Sequence, residues 1–346
     1  MHMKTIRHYL VLSGFAMLLL SGHPAQGEGP LPKFTLKGVA LEGKNLKFCP
    51  TGELERAGLI KMEGRIPNPL GKYYLYYSPH AHAGIGLAYS DSIEGPWTEY
   101  KGNPLIKDTA IPDIRWIEAT GKFHIWGHRQ NSRTEMWTST DGLHFDYHSA
   151  SIDSKKIGTR NATYTRVYEY PLERYGNRYI MLYSGYDLKG KIRGVWLAHS
   201  KDGASWIQVK PPLVEPIEGE GNDLYCPSLI QWKGKNYVTY ADHAGYRGGN
   251  LKYVELDNQL NPVGAGGKRY VLIDPVLNSP INNRYRGGEI YREGNTLYLI
   301  SGASERPRVI VYATAQVKDD VQEEEKGKAK QTGPSSRGEK AAKSLK

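Results

Sequence analysis

Short apolar and aromatic runs recur along this chain, each bounded by Gly, Pro, Asn or Asp. Five of them match in character: Tyr73-Tyr-Leu-Tyr-Tyr77, Phe123-His-Ile-Trp126, Tyr179-Ile-Met-Leu-Tyr183, Tyr237-Val-Thr-Tyr240 and Leu297-Tyr-Leu-Ile-Ser301. Each follows a tight turn: Leu70-Gly-Lys, Thr120-Gly-Lys, Tyr175-Gly-Asn, Lys233-Gly-Lys and Glu293-Gly-Asn. Runs this short, rich in Tyr, Val and Ile and closed by turn residues, predict strands. No stretch carries a convincing helical period, so the pattern predicts an all-β protein.

The strand before each turn can also be placed. It begins near Leu59, Pro112, Arg166, Pro227 and Gly288, with successive spacings of 53, 54, 61 and 61 residues. That period suits four-stranded blades with loops. After the second strand a phrase recurs three times: Gly86-Leu-Ala-Tyr-Ser-Asp-Ser-Ile-Glu-Gly-Pro-Trp97, Met136-Trp-Thr-Ser-Thr-Asp-Gly-Leu-His-Phe145 and Val195-Trp-Leu-Ala-His-Ser-Lys-Asp-Gly-Ala-Ser-Trp206. The Ser and Asp side chains suit capping of turn N–H groups, so Asp91, Asp141 and Asp202 are expected to be structural. Five equivalent settings predict a five-bladed β-propeller over residues 28–316. Residues 28–50 should pack outside it or close the ring with the last blade.

Residues 1–27 stand apart. Lys4, Arg7 and His8 precede an apolar run from Leu10 to Leu20, and Ala25-Gln-Gly27 offers small residues for cleavage. That order is a secretory signal, and the run is too short to span a bilayer comfortably. The expectation is a secreted or periplasmic protein with no stable membrane insertion once the signal is removed. Residues 317–346 are charged and nearly free of apolar side chains, which predicts a disordered tail.

The formal charge is +10, and the tail carries only eight Lys/Arg against six Asp/Glu. The excess therefore belongs to the propeller or the signal. An exported basic body suits an anionic partner, such as a sulfated or uronic polysaccharide, as well as plain solubility. No basic helix or nucleic-acid motif is present, so nucleic acid is not expected as a partner. The only cysteines are Cys49 and Cys226. They can pair in an oxidising compartment or remain buried thiols, and no zinc-type spacing exists.

Gly71-Lys-Tyr-Tyr-Leu-Tyr-Tyr-Ser78, Leu87-Ala-Tyr-Ser-Asp-Ser-Ile-Glu-Gly-Pro-Trp97 and Ser200-Lys-Asp-Gly-Ala-Ser-Trp206 resemble the blade grammar of the five-bladed propeller glycosidases. These include glycoside hydrolase families 43, 32 and 117. The resemblance covers about residues 50 to 316 and implies a glycoside hydrolase acting on a poly- or oligosaccharide. One departure stands out. Family 43 opens its first blade with an Asp-Pro pair that carries the general base, whereas this chain has Arg56-Ala-Gly-Leu-Ile60, with Glu53 and Glu55 just before. That leaves a non-catalytic carbohydrate-binding propeller as the rival reading. Arg65-Ile-Pro67 and the Ser/Asp turns also look like sialidase features, and a sialidase-like enzyme needs a Tyr/Glu pair and three arginines.

Glycoside hydrolysis usually needs two carboxyl groups, one to protonate the leaving oxygen and one to activate water or attack carbon. The starts of the inner strands supply candidates. Asp113 follows Pro112, Glu289 aligns with Asp113 and Ser228 when blades are overlaid, and Asp223 with Glu220 lies in the loop leading into blade four. Asp113, Glu289 and Asp223 are the expected catalytic residues, with acid and base unassigned and retention or inversion open. Arg166 opens blade three among aromatics. There it either clamps an anionic substituent or orients a catalytic carboxylate, while Glu169 is a blade-packing alternative. His80 and His82, His128 with Arg129, and His243 follow second strands at matching points, which suggests a rim that binds sugar. Arg286 and Trp116 complete the expected substrate-binding set. Trp126 can stack as well but suits core packing better. No cofactor is expected and no metal ligand is assigned, although the rim or channel could hold a structural divalent cation.

Overall fold

The computed structural model describes residues 29–82, 84–243, 249–264 and 266–317. The expected signal lies outside the described residues, and so does the expected tail beyond Val317. The first strand, β1 (Thr35–Glu42), belongs to the end of the molecule. Blade one is β2 to β5 (Gly58–Lys61, Tyr73–Tyr77, Gly86–Ser90, Thr98–Glu99). Blade two is β6 to β9 (Ala110–Ile117, Lys122–Arg129, Arg133–Ser139, Asp146–Asp153). Blade three is β10 to β13 (Thr163–Glu169, Tyr179–Tyr186, Arg193–Ser200, Ile207–Gln208). Blade four is β14 to β17 (Leu224–Trp232, Lys235–Asp242, Leu251–Leu256, Tyr270–Val271). Blade five is β18 to β20 (Tyr285–Glu293, Thr296–Ala303, Val309–Gln316), completed by β1.

Each blade is a meander of antiparallel strands in sequence order. In blade five, β1 pairs antiparallel with β20 from Thr35↔Thr314 to Glu42↔Val309. The N-terminal strand therefore closes the ring. The outer strands of blades one, three and four are only two residues long, which limits the hazard of an open strand edge. The five predicted second strands are β3, β7, β11, β15 and β19, and their aromatic rings, tyrosines in all but β7, fill the space between sheets. Tyr73 to Tyr77 are all buried. The predominance of Tyr over Phe follows from this, because many rings must reach a hydrogen-bond partner at a blade edge. The Tyr76 hydroxyl, for instance, donates to the Gly142 carbonyl of the next blade at 2.7 Å.

The repeated Ser/Asp turns act as staples. Asp141 accepts the N–H groups of Leu143 and His144, each at 2.8 Å. Asp202 accepts those of Ala204 and Ser205 at 2.9 and 2.8 Å. Ser139 and Ser200 take the intervening N–H groups. In blade one Asp91 instead accepts from Lys72 N, across the turn between β2 and β3.

Four of the five inner strands share a bulge. The register shifts between Ala110 and Asp113, Thr163 and Arg166, Tyr225 and Ser228, and Arg286 and Gly288. At each bulge one residue has positive φ: Ile111 at 56°, Tyr164 at 56°, Cys226 at 56° and Gly287 at 71°. Three of these are not glycine, and bulky side chains avoid that conformation. Bulges of this kind bend a strand and re-aim its side chains. Here they divide the channel into two levels, an outer mouth and an inner plug. Cys49 and Cys226 are both buried free thiols.

Candidate functional site

The inner plug lies just past the bulges. Asp113, Arg166, Ser228 and Glu289 occupy equivalent positions on β6, β10, β14 and β18. Arg115 shares a face of β6 with Asp113, since alternate residues of a strand point the same way. Its guanidinium reaches Asp113 Oδ1 at 2.8 Å and Glu289 Oε1 at 2.5 Å. Arg166 is fully buried, and its Nε lies 3.6 Å from Asp113 and 3.4 Å from Glu289. It also donates to the carbonyls of Ala57, Pro112 and Thr165. Val167 N donates to Asp113 Oδ2 at 2.7 Å. From blade one, Arg56 donates to Ser228 Oγ of blade four at 2.7 Å. All five blades are thus tied at one level by three guanidiniums, two carboxylates and a hydroxyl.

The electrostatics of the plug follow from that count. Burial pushes the Glu289 carboxyl up, but Arg115, Arg166 and Arg56 together pull it down to about 2. Asp113 is completely buried, and there desolvation outweighs the same arginines and raises its carboxyl. Burial and the nearby Arg166 lower the Arg56 guanidinium. Three cations against two anions also make this level a poor donor set for a divalent cation. Among the described residues no group of three or more His, Cys, Asp or Glu is arranged to hold a metal ion.

Above the bulges the channel opens into a pocket of about 580 Å³. Its walls come from the starts of β2, β6, β10 and β18 and from the loops after β3, β7 and β19. Two carboxylates line it, Asp108 and the more buried Glu55. Glu55 precedes β2 at the level of Arg286 on β18 and accepts from Arg286 Nη1 at 2.7 and 2.6 Å. It also accepts from Arg308 Nη1 at 2.5 Å. His80 Nε2 lies 3.1 Å from Glu55, and His80 Nδ1 lies 3.2 Å from Glu53. Burial lowers the His80 imidazole; Glu55 opposes that shift and Arg308 adds to it.

His82, His128, Arg129 and Tyr164 share the pocket wall. His128 is 9% exposed, and among the described residues its Nδ1 has no hydrogen-bond partner. Burial, with Arg193 nearby, pushes it down to about 4, so it is a neutral imidazole at ordinary pH. Its ring meets Tyr164 edge-on at 5.8 Å. The Tyr164 ring also carries the Arg193 guanidinium at 5.1 Å and neighbours Tyr225 at 6.2 Å. On the adjoining rim His243 Nδ1 lies 3.3 Å from Asp223 Oδ2.

The residues singled out in the sequence therefore fall into three places. His80, His82, His128 and Arg286 line the pocket. Asp223 and His243 form a pair on the rim beside it. Asp113, Glu289 and Arg166 come together in the plug, beneath the pocket and out of solvent. Trp116 lies at the far end of β6, against Phe123 at 4.8 Å, remote from the pocket. Trp126 is buried and donates to Gly203 O. Glu220 is buried under blade four, where it accepts from Tyr240 and Lys252. Glu169 pairs with Arg178 on the surface. Arg65 sits in the β2–β3 turn.

Glu55, Arg308 and Tyr164 are pocket residues that sequence reasoning did not select. Glu55 had a signal: it stands one blade away from Arg286 in repeat phase. Tyr164 adjoined Arg166 but was overshadowed by it. Arg308 lies in the β19–β20 loop, the blade-five counterpart of the β3–β4 loop that carries His80, but no histidine drew notice to it.

No family model matches the chain, and no curated protein matches it. Solved structures do match. A thermostable family-43 glycoside hydrolase aligns over 62% of this chain and 71% of its own, with 19% identity and a TM-score of 0.52. An endo-1,4-β-xylanase of Bacteroides thetaiotaomicron aligns over 80% and 91%, with 14% identity and a TM-score of 0.55. A family 32 β-fructofuranosidase of Bombyx mori aligns over 83% and 66%, with 11% identity and a TM-score of 0.55. The architecture is that of the five-bladed propeller glycoside hydrolases. At these identities the likeness carries the fold, and the chemistry must be argued from the pocket.

Proposed function

We propose that the protein is an exported glycoside hydrolase that binds a poly- or oligosaccharide in the mouth pocket. The observation that carries this reading is the pocket itself, where two carboxylates (Glu55 and Asp108), three histidines and three arginines converge on open space at the strand starts. Pockets of this size with a few convergent polar groups are the default ligand sites of enzymes. Glu55 is the carboxylate that meets the sugar. Asp223, paired with His243, is the second proton-handling group. Asp113, Glu289 and Arg166 act from below, holding the pocket floor. Arg129, Arg286 and Arg308 favour a sugar bearing a sulfate or carboxylate, because guanidinium forks match such groups. The order of residues 1–27 supports export.

A second reading has an observation of its own. Arg56 stands where family 43 carries its base, and Glu55 is already engaged by two arginines. That arrangement suits a propeller that holds carbohydrate without cleaving it.

The test is hydrolysis and binding of sulfated and uronic oligosaccharides by the wild type, Glu55→Gln, Asp223→Asn, Asp113→Asn and Glu289→Gln. The hydrolase reading expects turnover in the wild type and a loss of at least about 100-fold in Glu55→Gln, in the range of lost acid–base catalysis. Binding without turnover establishes the carbohydrate-holding reading. If Asp113→Asn and Glu289→Gln abolish turnover at unchanged stability while Glu55→Gln does not, the chemistry belongs to the plug.

A further inference from the structure

The inner strands have a second end. From Ile111 at the pocket to Trp116 is five residues of β6, or about 16 Å at ordinary strand rise. Around Trp116 the ends of β6, β10 and β14 enclose a depression of about 230 Å³. Its walls are aromatic and polar in alternation: Trp116, Tyr168 and Tyr170 with Arg115, Glu169 and Gln231. The tyrosines are held rigidly. Leu229 N donates to the Tyr168 hydroxyl at 2.9 Å, and the Arg115 guanidinium lies over the Tyr168 ring at 4.7 Å. The Tyr170 hydroxyl accepts from Asn236 at 2.9 Å and donates to Asn258 O at 3.2 Å. Beyond Leu229 and Gln231, which border both, a second depression of about 220 Å³ brings in Trp232.

We infer that this face is a second carbohydrate-binding site, which holds a polysaccharide chain along Trp116, Tyr168, Tyr170 and Trp232. The inference rests on the reading that the protein handles carbohydrate, but it uses none of the mouth residues. Fixed aromatic rings present flat apolar surface at little entropic cost, and one face of a pyranose ring is apolar. The side chains of Glu169 and Gln231 supply the carboxylate and amide that hydroxyl groups need, while Arg115, engaged with Asp113, Glu289 and the Val167 carbonyl, holds the Tyr168 ring from behind. Two adjoining depressions fit a chain of several sugars better than a single ring. Arg115 is shared with the plug, so the rear site and the mouth lie on opposite sides of one ionic layer. The protein can thus hold a polymer behind while the mouth takes a different segment or chain.

The experiment uses the full chain, three soluble polymers (polygalacturonate, a sulfated galactan and xylan) and short oligosaccharides of the same three kinds. Binding is measured by affinity electrophoresis and calorimetry for the wild type, Trp116→Ala, Gln231→Trp and Glu55→Gln. Gln231 is an exposed residue of β14, so Gln231→Trp fills the depression without touching the core. It covers the case in which Trp116→Ala unfolds through loss of its contact with Phe123. The expected result is a tenfold or greater loss of polymer binding in either rear variant that melts normally, with short-oligosaccharide binding or turnover at the mouth unchanged. Glu55→Gln should show the reverse. Wild-type polymer binding by folded Gln231→Trp overturns the rear site and leaves the mouth reading standing. Loss of mouth function in Glu55→Gln with no wild-type polymer binding does the same. No binding of any probe by the wild type, long or short, overturns both.

Discussion

Glu289→Gln tests what the central carboxylates do. In the folded protein Glu289 is buried against Arg115, Arg166 and Arg56, and its carboxyl sits near 2 instead of the ordinary 4.5. That difference corresponds to about 3 kcal/mol of stabilisation at neutral pH. An independent guide agrees, since removing one partner of a buried ion pair costs about 3–5 kcal/mol. For a domain of this size each kcal/mol moves the melting temperature by roughly 2–4 °C. Glu289→Gln should therefore melt about 10 °C below the wild type at pH 7, by calorimetry or circular dichroism. The pH dependence has a definite sign. A depressed carboxyl stabilises fully above its ordinary value and loses that contribution as the pH falls from about 4.5 towards 2. The gap between wild type and variant should close over that window. Asp113→Asn should cost less, because complete burial already works against the charged Asp113. A Glu289→Gln protein that melts with the wild type at pH 7 would refute the structural role. If it also lost turnover by orders of magnitude, Glu289 would be a catalytic residue despite its burial.

Four other outcomes are expected. Asp202→Ala should lose about 1 kcal/mol of stability, the usual worth of a capped turn, with activity unchanged, because Asp202 holds the N–H groups of Ala204 and Ser205 and the Ser200 hydroxyl, all within its own turn. By NMR titration His128 should stay neutral well below pH 6 and protonate near 4; since its folded value lies below the ordinary 6.5, its contribution to stability is lost as the pH falls between those values. Gly287→Ala should cost about 3 kcal/mol or more from overpacking and strain at positive φ, because its Cβ would lie 2.1 Å from that of Cys226; unchanged thermal stability would contradict the bulge geometry. Cys49 and Cys226 should both resist a thiol reagent until denaturant is added, and reductant should leave the melting temperature unchanged.

The blades were legible in the sequence because their signals are local. A Gly turn before each tyrosine-rich strand and a Ser/Asp staple after the third gave the phase of the repeat, and β3, β7, β11, β15 and β19 fall where that phase puts them. Closure by β1 could be stated only as an alternative to external packing, because pairing across some 270 residues leaves no local mark. The same phase brought out Asp113, Arg166 and Glu289 as equivalent residues, and they do meet. What it could not carry was their depth. The bulge that separates mouth from plug rests on one residue per strand at positive φ, and Ile111, Tyr164 and Cys226 are not residue types that announce such a conformation.

One available signal bears on that depth. Arg115 stands two residues after Asp113 and so shares its face of β6. A carboxylate and a guanidinium on one strand face, opposite Arg166 in the next blade, already favour mutual neutralisation over catalysis. The mouth obeys a different rule. Its level holds Glu55, Ala110, Thr163, Tyr225 and Arg286, a ring with a single carboxylate and a single arginine, which pair with each other. The plug residues Asp113, Arg166, Ser228 and Glu289 differ from blade to blade as well, but they neutralise one another out of solvent. At the mouth, Arg308, His80 and His128 border open space beside Glu55. That access, and not alignment in the repeat, is why Glu55 is a stronger candidate for ligand contact than Asp113 and Glu289.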